Sequence, residues 1–149
     1  MAAMPRPDDR SDARERALYL LYEAYSKGIT PADALALQVL EPDELTSLLV
    51  LGVGDSVGEL DHAIAARAKG WTLARMPVLD LNVLRLGAFE LAHRPDVPVA
   101  VVIDEAVELA KRFSTDDSGR FVNGLLSALV EDLQSEGIGR RDALRVGLV

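Results

Sequence analysis

The sequence contains no cysteine, which excludes disulfide bonds, thiolate zinc sites and cysteine nucleophiles. Its two histidines, His62 and His93, stand far apart, and neither has the spacing of a metal-ligand pair. Aromatic residues are scarce, with one Trp, three Tyr and three Phe. No segment alternates between apolar and polar residues as a half-buried strand would. These absences predict a protein without a metal site and without a β-sheet.

The sequence also lacks a recognisable catalytic arrangement. The segment Gly52-Val53-Gly54 has neither the preceding strand nor the third glycine of a phosphate-binding loop. The acidic pairs Asp104-Glu105 and Asp116-Asp117 suit the capping of helices, where negative charge is favourable near the first turn. We therefore expect no catalytic residue, no cofactor and no enzymatic activity.

No apolar run approaches the roughly 18 residues that a membrane helix needs, and the polar first twelve residues do not resemble a secretory signal. We expect a cytoplasmic protein that does not contact a membrane.

The net charge of −8 argues at first sight against a protein that binds nucleic acid. However, the acidity is concentrated in residues 28–107, which hold five positive and twelve negative groups. Any basic surface must therefore be local.

What the sequence has in abundance is leucine and alanine, and the apolar residues recur at helical spacing. We predict a disordered tail over residues 1–10 and one all-α domain over residues 11–149, a compact bundle of six to seven helices. Asp12 is a candidate cap for the first helix, and Gly28 ends it. The helix after Pro77 is apolar on nearly all sides, which predicts a central position. The glycines at 52, 54 and 58 either permit close helix contacts or mark a break.

Four segments, in this order and at this spacing, resemble the NusB family of transcription antitermination factors. They lie in the first helix, in and before the central helix, and in the two helices that follow. The segments are Ala13-Arg14-Glu15-Arg16-Ala17 leading to Leu21-Tyr22; Trp71 to Arg75 with Leu84-Arg85-Leu86; Val97-Pro98 with Asp104-Glu105-Ala106-Val107-Glu108-Leu109-Ala110-Lys111; and Ser114-Thr115-Asp116-Asp117-Ser118 with Phe121-Val122-Asn123-Gly124-Leu125-Leu126.

The resemblance implies a fold of two small helical halves and a non-enzymatic function. Members of the family pair with NusE, a small-subunit ribosomal protein, and bind boxA-containing single-stranded leader RNA in the transcription elongation complex, which promotes antitermination in ribosomal RNA operons. Two groups of residues match the family's RNA-facing segments, and Asp80 falls where NusE docks. The RNA-facing residues are Arg10, Arg14, Arg16 and Tyr22 in the first group and Asp117 and Arg120 in the second.

This sequence departs from the family where members often carry a dense arginine run. Here the run is reduced to Arg10-Ser11-Asp12, with Asp8 and Asp9 upstream. The departure keeps an alternative open, in which the chain is a protein-binding helical module with weak or lost RNA binding. The domain also resembles the amino-terminal RNA-binding module of some ribosomal RNA cytosine methyltransferases. Such an enzyme needs a catalytic cysteine, and this sequence has none.

Overall fold

A computed structural model describes residues 7–136, and within this range the chain is helical without any strand. The all-α prediction is confirmed. The helices are α1 (Pro7–Lys27), α2 (Pro31–Ala36), α3 (Glu44–Arg67), α4 (Val78–His93), α5 (Val99–Phe113) and α6 (Asp116–Glu136), with a 3₁₀ turn at Leu73–Arg75. No helix among the described residues is both long and apolar enough to cross a membrane. Residues 137–149 of the predicted domain lie outside the described residues.

The start of α1 differs from the prediction. The helix begins at Pro7, so Asp12 lies inside it and does not cap it. Residues 7–10, assigned to the tail from the sequence, form the first turn, where a proline is tolerated because its missing N–H has no intrahelical partner. Residues 1–6 of the predicted tail lie outside the described residues. The far end is as predicted, since Gly28 follows Lys27 with a φ of +66° that favours glycine.

The chain divides into two compact units, the first ending at Asp55 and the second beginning at Ser56. In the first unit, Thr30 starts α2 with a capping box, in which its side chain accepts a hydrogen bond from the Asp33 N–H and the Asp33 carboxylate accepts one from the Thr30 N–H. Gly54 lies against this helix start, because a Cβ at Gly54 would come within 3.2 Å of the Pro31 ring. Since α3 is unbroken, Gly54 permits a close contact and does not mark a break.

In the second unit, α4 packs against both α5 and α6, which pack against each other. Every α4 residue from Asp80 to Leu91 is buried except Arg85. The predicted central position of α4 is therefore confirmed for this unit. Arg85 is paired, since its Nε and one terminal nitrogen donate to the two oxygens of Asp61 at 2.7 and 2.8 Å. This bidentate geometry offsets the cost of holding a guanidinium in a largely apolar helix.

α4 and α6 lie close together at Gly87. A Cβ built at Gly87 would lie 2.7 Å from Cδ1 and 3.1 Å from Cδ2 of Leu126, which is fully buried. Real Cβ atoms do not come so close to a neighbour, so a side chain at this position would force the Leu126 side chain out of its packed position. A Cβ built in the same way at Gly124, on the exposed side of α6, would have no neighbouring atom within 4 Å.

We predict opposite effects for alanine at these two glycines. Gly124→Ala should stabilise the protein by up to about 1 kcal/mol, because it removes the conformational cost of glycine in a helix. Gly87→Ala gains the same amount but overpacks the core, which costs about 1–3 kcal/mol, so it should destabilise. Urea unfolding of both variants beside the wild type measures the two changes. A Gly87→Ala variant that matches Gly124→Ala in stability would contradict the close packing of α4 on α6.

An ion pair between Arg67 and Asp132 joins the last turn of α3 to α6 within the second unit. Arg67 donates from Nε and a terminal nitrogen to the two carboxylate oxygens of Asp132 at 2.9 and 2.5 Å. The hydrogen bonds from Arg67 lower the pKa of Asp132 despite an opposing contribution from burial, and the positive charge of Arg67 lowers it further. A carboxylate with a lowered folded-state pKa stabilises the fold above its unfolded pKa, and this stabilisation disappears as the pH falls through the folded value.

The Arg67–Asp132 pair should therefore contribute to stability near neutral pH and not in acid. Asp132→Asn is expected to lower the melting temperature slightly at pH 7, because the pair is partly exposed and such pairs contribute little. The difference from the wild type should shrink as the pH falls below about 4, where the carboxylate of the unfolded chain takes up its proton, and it should vanish once the pH is below the lowered pKa of Asp132 in the folded protein. Thermal melts of both proteins between pH 7 and pH 2.5 measure this. A difference that stays constant with pH would mean that the charge of Asp132 has no role.

Candidate functional site

The residues predicted from the sequence to bind RNA lie in both units. Arg10, Arg14, Arg16 and Tyr22 are on α1 in the first unit, whereas Asp117 and Arg120 are on the first turns of α6 in the second unit. Each group is therefore brought together within its own helix. Asp80, the predicted partner-binding residue, is on α4 in the second unit.

On α1, Arg10, Arg16 and Tyr22 are exposed. Arg16 is already engaged in an ion pair, because one of its terminal nitrogens donates to Asp43 Oδ1 at 3.1 Å. Burial opposes the ionisation of Asp43, but hydrogen bonds from the Thr46 hydroxyl and N–H, together with the charge of Arg16, lower the pKa of Asp43 overall. The carboxylate of Asp43 is thus held in its charged form beside Arg16, and it competes with any phosphate for this guanidinium.

Arg14 does not fit the predicted role of a direct phosphate contact. It is only 4% exposed, and it takes part in a polar or electrostatic interaction within the protein. Its position explains this, because on a helical wheel it falls between Leu21 and Leu18 on the side of α1 that is buried. Arg14 is therefore part of the buried side of α1, and the spacing of the motif alone does not reveal this.

α1 carries two exposed aromatic residues that the sequence analysis missed as functional candidates. Tyr19 is 53% exposed and Tyr25 is 59% exposed, and Tyr22 between them is 44% exposed. The available signal was their spacing, since these three residues are all the tyrosines of the chain and follow one another at intervals of three. Large aromatic surfaces left in solvent are typical of binding faces.

At the start of α6, Asp117 and Arg120 are both highly exposed and form an ion pair with each other. The two residues stand three positions apart, which places them on one face of the helix. The carboxylate of Asp117 therefore neutralises the charge that Arg120 would present to a phosphate. The predicted RNA-facing segment of the second unit carries no net charge at this pair.

Asp80 opens into a pocket of about 370 Å³ in the second unit. The carboxylate is 5% exposed, and its Oδ2 accepts a hydrogen bond from the Ser118 hydroxyl at 2.8 Å. Its Oδ1 is buried and has no hydrogen-bond partner. The walls combine aromatic, apolar and hydroxyl groups, namely Trp71, Met76, Pro77, Ser114, Thr115, Asp117, Ser118 and Phe121. A buried acceptor without a donor is costly, so the pocket is suited to a ligand group that donates a hydrogen bond or carries positive charge.

Residues 7–136 contain no group of three or more potential ligands placed to hold a metal ion. The two histidines have other surroundings. The His93 ring lies 3.1 Å from a carboxylate oxygen of Glu59 and packs on Phe89. His62 is exposed on α3. The absence of a metal or cofactor stays a prediction.

The profile of the NusB family matches residues 11–131. The chain belongs to the NusB family. Two curated relatives are named transcription antitermination protein NusB. The protein from Streptomyces avermitilis is 47% identical over 131 residues, covering 82% of this chain and 91% of the relative. The one from Saccharopolyspora erythraea is 49% identical over 138 residues and covers 89% of each chain.

Solved NusB structures share the fold. T. maritima NusB superposes with a TM-score of 0.79 at 27% identity, covering 95% of this chain and 99% of the other. A structure of the antitermination factors NusB and NusE in complex with double-stranded RNA gives a TM-score of 0.73 at 25% identity and covers 85% and 99%. The NusB match includes every candidate site residue except Arg10, which precedes it. The roles of the individual residues stay predictions.

The burial of Arg14 predicts that its removal damages the fold as well as any binding. Arg14→Ala should lower the free energy of unfolding by about 1–3 kcal/mol, because it removes the polar or ionic interaction of a side chain that is buried in the fold. Arg16→Ala, which breaks only an exposed ion pair, should cost between zero and about 1 kcal/mol. Chemical denaturation of both variants makes the comparison. If Arg14→Ala is as stable as the wild type, Arg14 has no structural role, and the predicted role as a direct RNA contact stands.

Proposed function

We propose that this chain is a transcription antitermination factor that binds boxA-containing leader RNA together with NusE and supports ribosomal RNA transcription in the elongation complex. In this role it acts in the cytoplasm as a binding protein without enzymatic turnover or cofactor. The observation that carries the proposal is the match, over 85% of this chain, to a NusB in complex with NusE and double-stranded RNA.

The pocket at Asp80 supports the proposal that a protein partner binds to the second unit. Its buried Oδ1 lacks a donor, and the aromatic rings of Trp71 and Phe121, 6.3 Å apart, stand in the wall. A basic side chain of NusE would satisfy the carboxylate and pack against these rings, which attract cations. Binding would then remove an unfavourable feature of the unbound protein, which favours association.

The charges on the RNA-facing segments support an RNA affinity that is weak without a partner. Arg14 is buried, Arg16 is paired with Asp43, and Arg120 is paired with Asp117. A phosphate contact at Arg16 or Arg120 must therefore displace a carboxylate. NusE would add surface and positive charge, so we expect the complex to bind RNA more tightly than the chain alone and with a steeper salt dependence.

The same ion pairs favour the second candidate function, a protein-binding module of this fold that has lost RNA binding. The two functions differ in one measurable property. An RNA-binding complex requires that this chain change the affinity of NusE for boxA RNA, whereas a protein-only module would bind NusE and leave its RNA affinity unchanged.

The Asp117–Arg120 pair supplies a variant that tests RNA binding without disturbing the core. Asp117→Asn should tighten boxA binding by about 2- to 5-fold, because it removes a charge that repels phosphate and frees Arg120 from an exposed ion pair worth up to about 1 kcal/mol. Asp116→Asn is the matched control, since it removes a neighbouring exposed charge without releasing Arg120. Mobility-shift titrations at one stated salt concentration, with and without NusE, compare the two.

The outcome separates the two candidate functions. Tighter binding by Asp117→Asn than by Asp116→Asn supports RNA contact at the start of α6. If neither variant changes RNA affinity and the wild type adds nothing to NusE, the protein-only module becomes the function.

A further inference from the structure

We propose that the pocket at Asp80 binds small organic cations. The carboxylate would hold a primary ammonium or guanidinium group, and the aromatic wall would hold an apolar body. The pocket encloses about 370 Å³, a volume in the range of small-molecule sites. It lies within the second unit, and its lining comes from the connector before α4, from α4, and from the start of α6 with the turn that precedes it.

The charges of the lining select a cation. Two of the nine lining residues, Asp80 and Asp117, are acidic, and none is basic. The exposed Asp117 is already paired with Arg120, so Asp80, which is 5% exposed, is the carboxylate that would hold the ligand. Water screens a charge in such a secluded position only weakly, so it attracts an opposite charge more strongly than a surface carboxylate does.

The hydrogen bonds of Asp80 favour a ligand that carries N–H groups. Its Oδ2 accepts from the neutral Ser118 hydroxyl at 2.8 Å, and its Oδ1 has no hydrogen-bond partner among residues 7–136. The terminal torsion of an aspartate is broad, so the carboxylate can turn either oxygen towards a ligand. The hydroxyl oxygens of Ser114 and Thr115, each 3.0 Å from Ser118 Oγ, add acceptors to the same lining. A primary ammonium with three donors or a guanidinium with five can bond to several of these oxygens at once.

The aromatic residues of the pocket supply the second part of the recognition. The rings of Trp71 and Phe121 lie 6.3 Å apart at an angle of 40°, and Met76 and Pro77 complete the apolar part of the lining. Trp71 is 52% exposed, so a ligand that covers it removes apolar surface from water. The faces of both rings also attract cations, and that of Trp does so most strongly. The pocket thus matches a molecule that joins a charged end to an apolar body.

This chemistry has two sources, a free organic cation and a basic side chain of a protein. The proposed function places such a side chain of NusE in the same pocket, so a free cation should compete with NusE. The competition rests on the proposed function, whereas binding of a free cation by the chain alone does not. A cation that occupies the pocket would therefore regulate assembly with NusE.

The first test titrates the full chain alone with three matched compounds in isothermal titration calorimetry. Phenethylammonium has both the cationic N–H group and the apolar body. Phenethyl alcohol keeps the shape without the charge, and phenethyltrimethylammonium keeps the charge without N–H donors. We expect saturable binding of phenethylammonium with a Kd below about 10 mM, the weak range for a ligand of this size. The other two compounds should bind at least about 10-fold more weakly, because they lose the charge-assisted hydrogen bonds.

Variants of the chain locate the site. Asp80→Asn keeps the shape of the side chain and removes its charge, so it should weaken phenethylammonium binding by roughly 10- to 150-fold. Trp71→Leu removes an aromatic face and should weaken binding by roughly 2- to 30-fold. Asp104→Asn is the matched control, because it removes an exposed carboxylate of the same unit outside the pocket, and it should bind like the wild type. Melting temperatures verify folding, and if Asp80→Asn does not fold, the comparison of Trp71→Leu with Asp104→Asn locates the site.

A second titration measures the affinity of the chain for NusE at increasing concentrations of phenethylammonium. The affinity for NusE should fall as the pocket fills, whereas phenethyl alcohol at the same concentrations should leave it unchanged. This result would support a site shared by the free cation and the protein side chain.

The results separate this inference from the proposed function. If phenethylammonium does not bind the chain, or binds Asp80→Asn as tightly as the wild type, the inference is overturned even where NusE and boxA RNA bind as proposed. Equal binding of all three compounds would identify a merely apolar pocket and would also overturn it. If phenethylammonium binds in the pocket and the affinity for NusE does not change, the cation site stands and NusE docks elsewhere.

Discussion

The burial of α4 is the constraint on which the second unit depends. Its sequence is apolar on nearly every side, and the helix is stable only where α5 and α6 cover it. The contact with α6 is close because Gly87 has no side chain to separate it from Leu126. The same burial makes every polar group on α4 expensive unless it is paired. Arg85 is paired with Asp61, and Glu90 with Arg94 at 2.9 Å.

Asp80 and Asn82 are the exceptions on this helix. Ser118 satisfies one carboxylate oxygen of Asp80, while the other oxygen and the Asn82 Nδ2 are buried without a hydrogen-bond partner among residues 7–136. Asp80 also lines the pocket of the second unit, which makes this region the candidate docking site. The core of the second unit and its candidate docking site are thus consequences of one packing arrangement.

Arginine pairing has a second consequence, for electrostatics. An acidic chain that binds RNA must present positive charge locally, yet two of the four arginines on the candidate faces, Arg16 and Arg120, are engaged with carboxylates of the same unit. These pairs stabilise local structure only modestly, but they reduce the field available to phosphates.

Several features followed from the sequence because they depend on local rules. Helical spacing of leucine and alanine predicted the helices, the all-round apolar pattern predicted the central α4, and Gly28 predicted the end of α1. The Asp12 cap was wrong because Pro7 is equally compatible with a first turn, and propensity does not choose between two nearby starts. The glycines of α3 stayed ambiguous, since only the position of Pro31 shows that Gly54 serves a close contact.

The sequence by itself determined the fold class, the family and the segments that carry the candidate surfaces, because periodicity and motif order are properties of the linear chain. Tertiary structure alone decided the state of each side chain. It buried Arg14, paired Arg16 with Asp43 and Arg120 with Asp117, and left Asp80 Oδ1 without a donor. Burial and pairing depend on which groups the folded chain brings within a few ångströms of each other. A residue's type and spacing therefore predict the helix it belongs to, but not the partners it meets.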